Sequence, residues 1–297
     1  ACQVPHTGDN SLKRLIVILF VITSLSVHAE KSSGALHRDT ETINITSTES
    51  GQEYELYIKL PINYKTSTKA YPIAILQDIG VTSAVTENAV NLMAGKEIED
   101  LILVGMSYSK DVSPEISRTR DFTPTHAPNE RGAHSLEAQA HSGAADEYIR
   151  FLGDQVIPLL SKEYRIKTNN KIFVGHSFGG LLGAYILLVN AELFDSYIIS
   201  SPSLWYDERV MFRLEEGYSK QHTMMKAKVL LYIGQEESKS RRGNMVQDLL
   251  RYEKALKSRN YDGLDVKAVV LEGADHSSAF PLLISNALKA LVPIEQR

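Results

Sequence analysis

The chain has 297 residues, 43% of them apolar, enough to bury a substantial core in one large domain or two small ones. Its formal charge of −4, with no basic stripe along it, sets nucleic acid aside as a partner.

The first thirty residues read as an address rather than as fold. Lys13 and Arg14 precede the apolar run LIVILFVITSLSV and then Val27-His28-Ala29, the layout of a secretory signal peptide cut after Ala29. The run falls short of the ~20 apolar residues a membrane span needs, so no membrane attachment is expected after cleavage. Residues 1–10 read as an extension upstream of the signal, and 30–297 as an exported domain, periplasmic or secreted. Cleavage removes Cys2, the single cysteine, leaving no thiol for a disulfide, a cysteine nucleophile or a thiolate metal site.

ETINITS and EYELYIKL (53–60), β-branched and alternating, predict a leading antiparallel pair. YPIAILQ (71–77) predicts a buried strand, VTSAVTENAVNLMAG a helix closed by Gly95, and DLILVGM (100–106) a second buried strand. A long polar connection, 107–137, follows. SGAADEYIRFLGDQVIPLLSKEY predicts a helix that Pro158 breaks or kinks. KIFVG (171–175), DSYIISS (195–201), AKVLLYIG (227–234) and DVKAVVLE (265–272) complete a set of eight strands, with a glycine-bearing helix after the first of these and helices over 242–258 and 277–291. Buried strands alternating with helices imply an α/β fold: one domain with a mostly parallel sheet covered on both faces.

The strand-to-helix junction carries Gly175-His176-Ser177-Phe178-Gly179, a G-x-S-x-G pattern. In a nucleophile elbow the serine occupies a strained turn, so its neighbours must be small, and the N–H of the following residue points at a developing oxyanion. Gly175 and Gly179 supply that room, Gly180 and Gly183 let the helix approach the sheet, and Phe178 supplies the N–H. The pattern alone is weak; an apolar strand before it and an apolar helix after it are the context the chemistry requires.

A serine nucleophile needs a base and an orienting acid, in chain order serine, acid, histidine, each past a strand end. His276 follows the last expected strand, and Glu236 and Glu237 follow the strand before it. Glu237, three residues beyond Gly234, is the preferred acid, with Glu236 and Asp275 as alternatives and a bare serine–histidine pair as a further one. The bland readings are a solvated acidic turn and an ordinary loop histidine.

With those residues in place the chain resembles the putative-esterase branch of the α/β-hydrolases, which includes enterobactin esterases and esterase D. RTRDFTPTH (118–126), GAADEYIRFLGDQVIPLLSKEYR, VGHSFGGLLGAY, LFDSYIISSPSLWYD and the closing GADH carry the resemblance, which spans about Thr42 to Leu291. It implies an α/β-hydrolase fold and a cofactor-free serine carboxylesterase with Ser177 as nucleophile, His276 as base and Glu237 as acid, acting on a small-molecule ester of siderophore type, with short acyl or sugar esters as the alternative. Its second oxyanion donor lies where this chain reads Asp78-Ile79-Gly80, one residue off the branch pattern, which assigns the N–H of Ile79 or Gly80. Arg118 and Arg120 are candidates for an anionic or catecholate-rich substrate, against a plain Arg120–Asp121 pair; Trp205 is a candidate pocket wall. His126, His134 and His141 match no short metal-ligand spacing, so no metal is expected. The rival functions are acyl transfer on the same fold and a non-catalytic binding protein on a hydrolase scaffold.

Overall fold

The computed structural model describes residues 40–132 and 134–294. The expected signal peptide and its cleavage point lie outside them. Among the described residues no helix is long and apolar enough to cross a membrane.

Eight strands form one sheet: β1 (Thr40–Thr46), β2 (Glu53–Lys59), β3 (Tyr71–Leu76), β4 (Ile102–Met106), β5 (Ile166–His176), β6 (Ser196–Ser200), β7 (Met224–Gly234) and β8 (Asp262–Leu271). Their spatial order is β1-β2-β4-β3-β5-β6-β7-β8. The β1–β2 and β2–β4 pairings are antiparallel, and every later one is parallel. The expected leading antiparallel pair and the parallel run are therefore both present.

Alternation along each central strand splits the core in two. Phe173, Tyr197, Ile199, Val229 and Leu231 face one side; Ile172, Val174, Ile198 and Leu230 face the other. The second face is covered by α1 (Ile79–Met93) and α9 (His276–Leu291) through Val90, Met93, Phe280, Leu283 and Ile284. The first face carries α2 (Pro114–Phe122), α4 (Ala145–Phe151), α5 (Ile157–Glu163), α6 (Phe178–Val189), α7 (Tyr206–Ser219) and α8 (Met245–Ser258); a short α3 (Leu136–Gln139) packs on α2. Burying a side chain such as Phe173, fully enclosed at the centre, contributes about 1.5–3 kcal/mol.

Three elements differ from expectation. The polar connection contains α2, opened by Ser113, whose hydroxyl accepts the Ile116 N–H, with Pro114 in its first turn. The helix over 142–164 is broken by a π-helical turn at Leu152–Val156, where the Ile157 N–H reaches back five residues to the Leu152 carbonyl just ahead of Pro158. Proline lacks an N–H and crowds the carbonyl four residues earlier, and the wider turn removes that conflict. The helix α7, not expected from sequence, kinks through Asp207, Glu208 and Arg209, all left-handed with φ of 43°, 51° and 61°. The kink is held by the Asp207 N–H donating to Glu130 Oε2, Thr125 Oγ1 donating to Asp207 and Arg209 Nε donating to Asp248.

Candidate active site

The C-terminal ends of β3, β5, β6, β7 and β8 collect the residues singled out in sequence, as open parallel sheets generally present their sites. Ser177 sits between β5 and α6 with φ 59° and ψ −113°, a conformation that costs a non-glycine residue of order 1–3 kcal/mol. Its N–H donates to the Ser200 carbonyl at 2.9 Å, and its own carbonyl accepts the N–H groups of Leu181 and Ser203. The turn is thus fastened to the end of β6. A Cβ on Gly175 would stand 2.2 Å from the Gly179 carbonyl oxygen, and one on Gly180 would stand 2.8 Å from that of Ser200. Only hydrogen fits at either place.

Glu237 lies in a 3-10 turn, Gln235–Lys239, directly after β7, with its side chain 3% exposed. Its Oε1 accepts from the Gly234 N–H at 2.9 Å and from the Ser201 hydroxyl at 2.6 Å; its Oε2 accepts from His276 Nδ1 at 2.7 Å. A carboxylate accepts, so Nδ1 carries a proton, and in the neutral ring Nε2 keeps its lone pair. The imidazole of His276 packs on that of His176, the residue before Ser177, with ring centroids 4.6 Å apart. The other two candidate acids are engaged elsewhere. Glu236 is exposed and pairs with Lys239 at 2.8 Å. Asp275 caps α9, accepting the N–H groups of Ser277 and Ser278.

Among the described residues Ser177 Oγ has no hydrogen-bond partner, and the N–H groups of Phe178, Ile79 and Gly80 have no acceptor. Asp78, left-handed at φ 58° and ψ 56°, starts α1 and brings those last two N–H groups to the same end of the sheet; its Oδ2 is 3.3 Å from where a Cβ on Gly179 would stand. Unpaired N–H groups at helix starts favour negative charge beside them.

A cleft of about 950 Å³ opens beside Glu237 and His276, lined also by His134, Trp205, Glu208 and Arg242 among others. Trp205, 6% exposed, packs against Phe178 and lies under the Arg242 guanidinium, 4.8 Å from ring centroid to Cζ. Two histidines are kept neutral. His176 is lowered to about 3, first by burial and then by the neighbouring His276 and Arg118; His134 is lowered to about 4 by burial and then by Arg118.

Of the two readings of Arg120, substrate contact and pair with Asp121, the structure shows the pair. Arg120 Nε donates to Asp121 at 2.7 Å, Nη1 to Gln52 at 2.9 Å, and Nη2 to Tyr54 and Ser109 at 3.1 Å, beside a small internal cavity away from the cleft. The cause is helical geometry: two residues apart on α2, Arg118 and Arg120 point to opposite sides. Sequence reasoning also missed Ser201, the clamp on Glu237, and Asp78 as an anchor. His126 Nδ1 donates to the Ser142 carbonyl, His134 contacts Thr119 and Arg118, and no group of three or more metal-ligating side chains forms among the described residues.

The profile of the family described as "Putative esterase" matches residues 47–286. The chain belongs to that family. It is similar to the ferri-bacillibactin esterase BesA of Bacillus subtilis (strain 168), at 25% identity over 260 residues, 84% of this chain and 88% of the relative. A siderophore enterobactin esterase of Emericella nidulans is 33% identical over 115 residues, 37% of each chain. The crystal structure of an IroE-like serine hydrolase from Shewanella oneidensis shares the fold, with a TM-score of 0.74 at 23% identity over 86% of this chain and 80% of that one. This esterase therefore has an α/β-hydrolase fold, as its strand order and parallel sheet independently indicate.

Proposed function

We propose that the protein is an exported serine carboxylesterase that hydrolyses siderophore-type esters through an acyl-enzyme, without a cofactor. One observation carries the reading: a Glu237–His276 hydrogen-bonded pair laid against the residue that precedes Ser177, which itself sits in a strained strand-to-helix turn. His276 Nε2 takes the Ser177 proton as Oγ bonds to the substrate carbonyl carbon, and the carbonyl oxygen becomes an oxyanion facing the N–H groups of Phe178 and of Ile79 or Gly80. The imidazolium then gives its proton to the leaving alcohol as the ester bond breaks. Water, deprotonated by the same nitrogen, releases the acid and restores Ser177. Glu237 holds the productive tautomer and balances the transient imidazolium charge.

The named activities of the similar proteins support a siderophore ester, and the cleft has room for a bulky one. Arg242 over Trp205 gives that cleft a cationic, aromatic wall. The test is labelling with a fluorophosphonate and mapping of the modified residue, alongside turnover of a p-nitrophenyl ester and of a siderophore trilactone with and without iron. Ser177 is the expected adduct, and Ser177→Ala is expected to abolish both labelling and turnover. Unchanged turnover in a folded Ser177→Ala protein overturns the proposal, and ester rather than acid product in the presence of an added alcohol redirects it to acyl transfer.

A further inference from the structure

Ser177 follows β5 and Glu237 follows β7, and β6 lies between those strands and pairs with both. The segment that ends it, Ser200-Ser201-Pro202-Ser203, reaches to both sides. Toward the elbow, the Ser200 carbonyl accepts the Ser177 N–H at 2.9 Å, and the Ser203 N–H donates to the Ser177 carbonyl at 3.2 Å. Ser200 Oγ lies 3.0 Å from His176 Nδ1. Toward the acid, the Ser201 N–H donates to the Tyr232 carbonyl on β7 at 2.7 Å, and the Ser201 hydroxyl donates to Glu237 Oε1 at 2.6 Å. One short segment thus holds both the turn that presents Ser177 and the carboxylate bonded to His276.

We infer that Ser201 is a positioning residue: its hydroxyl, carried on the segment that also fastens the elbow, registers the Glu237 carboxylate, and through it the His276 imidazole, to Ser177. The inference rests on the serine-esterase reading above and deepens it. The two carboxylate oxygens divide the work. Oε2 accepts from His276 Nδ1 at 2.7 Å, while Oε1 accepts from the Gly234 N–H at 2.9 Å and from Ser201. The Gly234 bond comes from three residues back along the same chain, so it fixes Glu237 only to the end of its own strand. The Ser201 bond crosses from 36 residues away and refers the carboxylate to the elbow. With the Glu237 side chain 3% exposed, water cannot stand in for a lost donor.

The backbone of Ser201 points the same way. Its φ is 44°, in the left-handed region that strains every residue except glycine. Glycine would take that conformation freely; what serine adds is the hydroxyl on Glu237. The segment is also closed to substrate, since Ser200, Ser201 and Ser203 are fully enclosed. The start of α6 lies directly on it: a Cβ on Gly180 would stand 2.8 Å from the Ser200 carbonyl oxygen and 3.0 Å from Pro202 Cα. The elbow therefore cannot shift without the segment that carries the Ser201 hydroxyl. Strain at Ser201 and the bond to the acid belong to one device, in which conformational ease gives way to register.

The experiment compares wild type, Ser201→Ala and Ser201→Gly on p-nitrophenyl acetate, each also in a Glu237→Ala background, with thermal midpoints and the rate of fluorophosphonate inactivation measured in parallel. A hydrogen bond to a charged group is worth about tenfold to a hundredfold, so both single variants are expected to lose about that much in kcat, with KM within about threefold. Inactivation is expected to slow by a similar factor. In the Glu237→Ala background the same changes are expected to cost less than about twofold, because the group Ser201 acts through is gone. Ser201→Gly, which relieves the strain, is expected to have a higher midpoint than Ser201→Ala and yet no higher kcat. Wild-type kcat in either folded single variant overturns the inference, as does a loss confined to KM or an equal loss with and without Glu237. Should Ser201→Ala not fold, Ser201→Gly, whose backbone suits the turn, gives the same readings. Wild type that neither labels nor turns over ester sinks the esterase reading itself, whereas labelled, active wild type with unimpaired variants sinks the role of Ser201 alone.

Discussion

The elbow at Ser177 and the 107–142 connection beside it are made rigid by opposite means. The elbow is apolar and works by omission: at Gly175 and Gly180 there is no space for a methyl group, and Val174, Leu181 and Leu182 are fully enclosed. The connection buries polar groups instead. Ser117, Thr119, Asp121 and Thr123 on and after α2, then Gln139 and Ser142, are all at most 6% exposed. All but the Gln139 side chain are hydrogen-bonded, mostly to groups of the same connection, as Ser117 Oγ is to Asp121, while Tyr54 reaches Asp121 from β2. Steric exclusion tolerates no added atom, whereas a polar network tolerates no lost partner.

The sharpest way to break the elbow side is Glu237→Gln. An amide presents a donor toward His276 Nδ1 and favours the wrong tautomer, so kcat on a p-nitrophenyl ester is expected to fall about 10³–10⁴-fold, with the thermal midpoint nearly unchanged. On the connection side, Arg120→Met leaves the buried Asp121 carboxylate without its cation. It is expected to cost about 3–5 kcal/mol in urea unfolding, while kcat/KM of the folded protein stays within about twofold. A large drop in kcat/KM there would return Arg120 to the substrate. Gly175→Ala forces the elbow apart and is expected to destabilise by about 1–3 kcal/mol and to lower activity in the folded fraction.

How much of each region sequence could disclose follows from the same contrast. The sheet and the placing of Ser177, an acidic pair and His276 past strand ends are legible, because apolar runs and glycine spacing are local signals. The helix α2 is not, because its inward face is Ser117, Thr119 and Asp121, which no hydrophobic period detects. Its one local cue was Ser113-Pro114-Glu115, a capping residue, a proline in the first turn and an early acid. Missing that helix also hid the opposed directions of Arg118 and Arg120. The choice among Glu236, Glu237 and Asp275 needed coordinates too, since three neighbouring carboxylates differ only in which hydrogen bonds the fold offers them.

The smallest expected effect is graded rather than abrupt. His134 and His176 are both held well below their ordinary value of 6.5, so the folded protein binds fewer protons than the unfolded chain between about pH 6.5 and their folded values near 4 and 3. Stability is then fully present above about pH 6.5 and declines as pH falls through that window. The thermal midpoint is expected to drop across it, and His176→Asn to make the acid limb shallower. A limb of unchanged slope in that variant would place the acid sensitivity in carboxylates instead.

His276 is the first residue of α9, and Asp275 anchors that helix start through two backbone bonds. A base carried on a free loop would have to wait for segmental excursions, which occupy nanoseconds to microseconds. Here the backbone beneath the imidazole is part of a sixteen-residue rod, so its travel reduces to rotation about two side-chain bonds, a picosecond-to-nanosecond event. On the proposed mechanism, delivery of the base is therefore not the slow step.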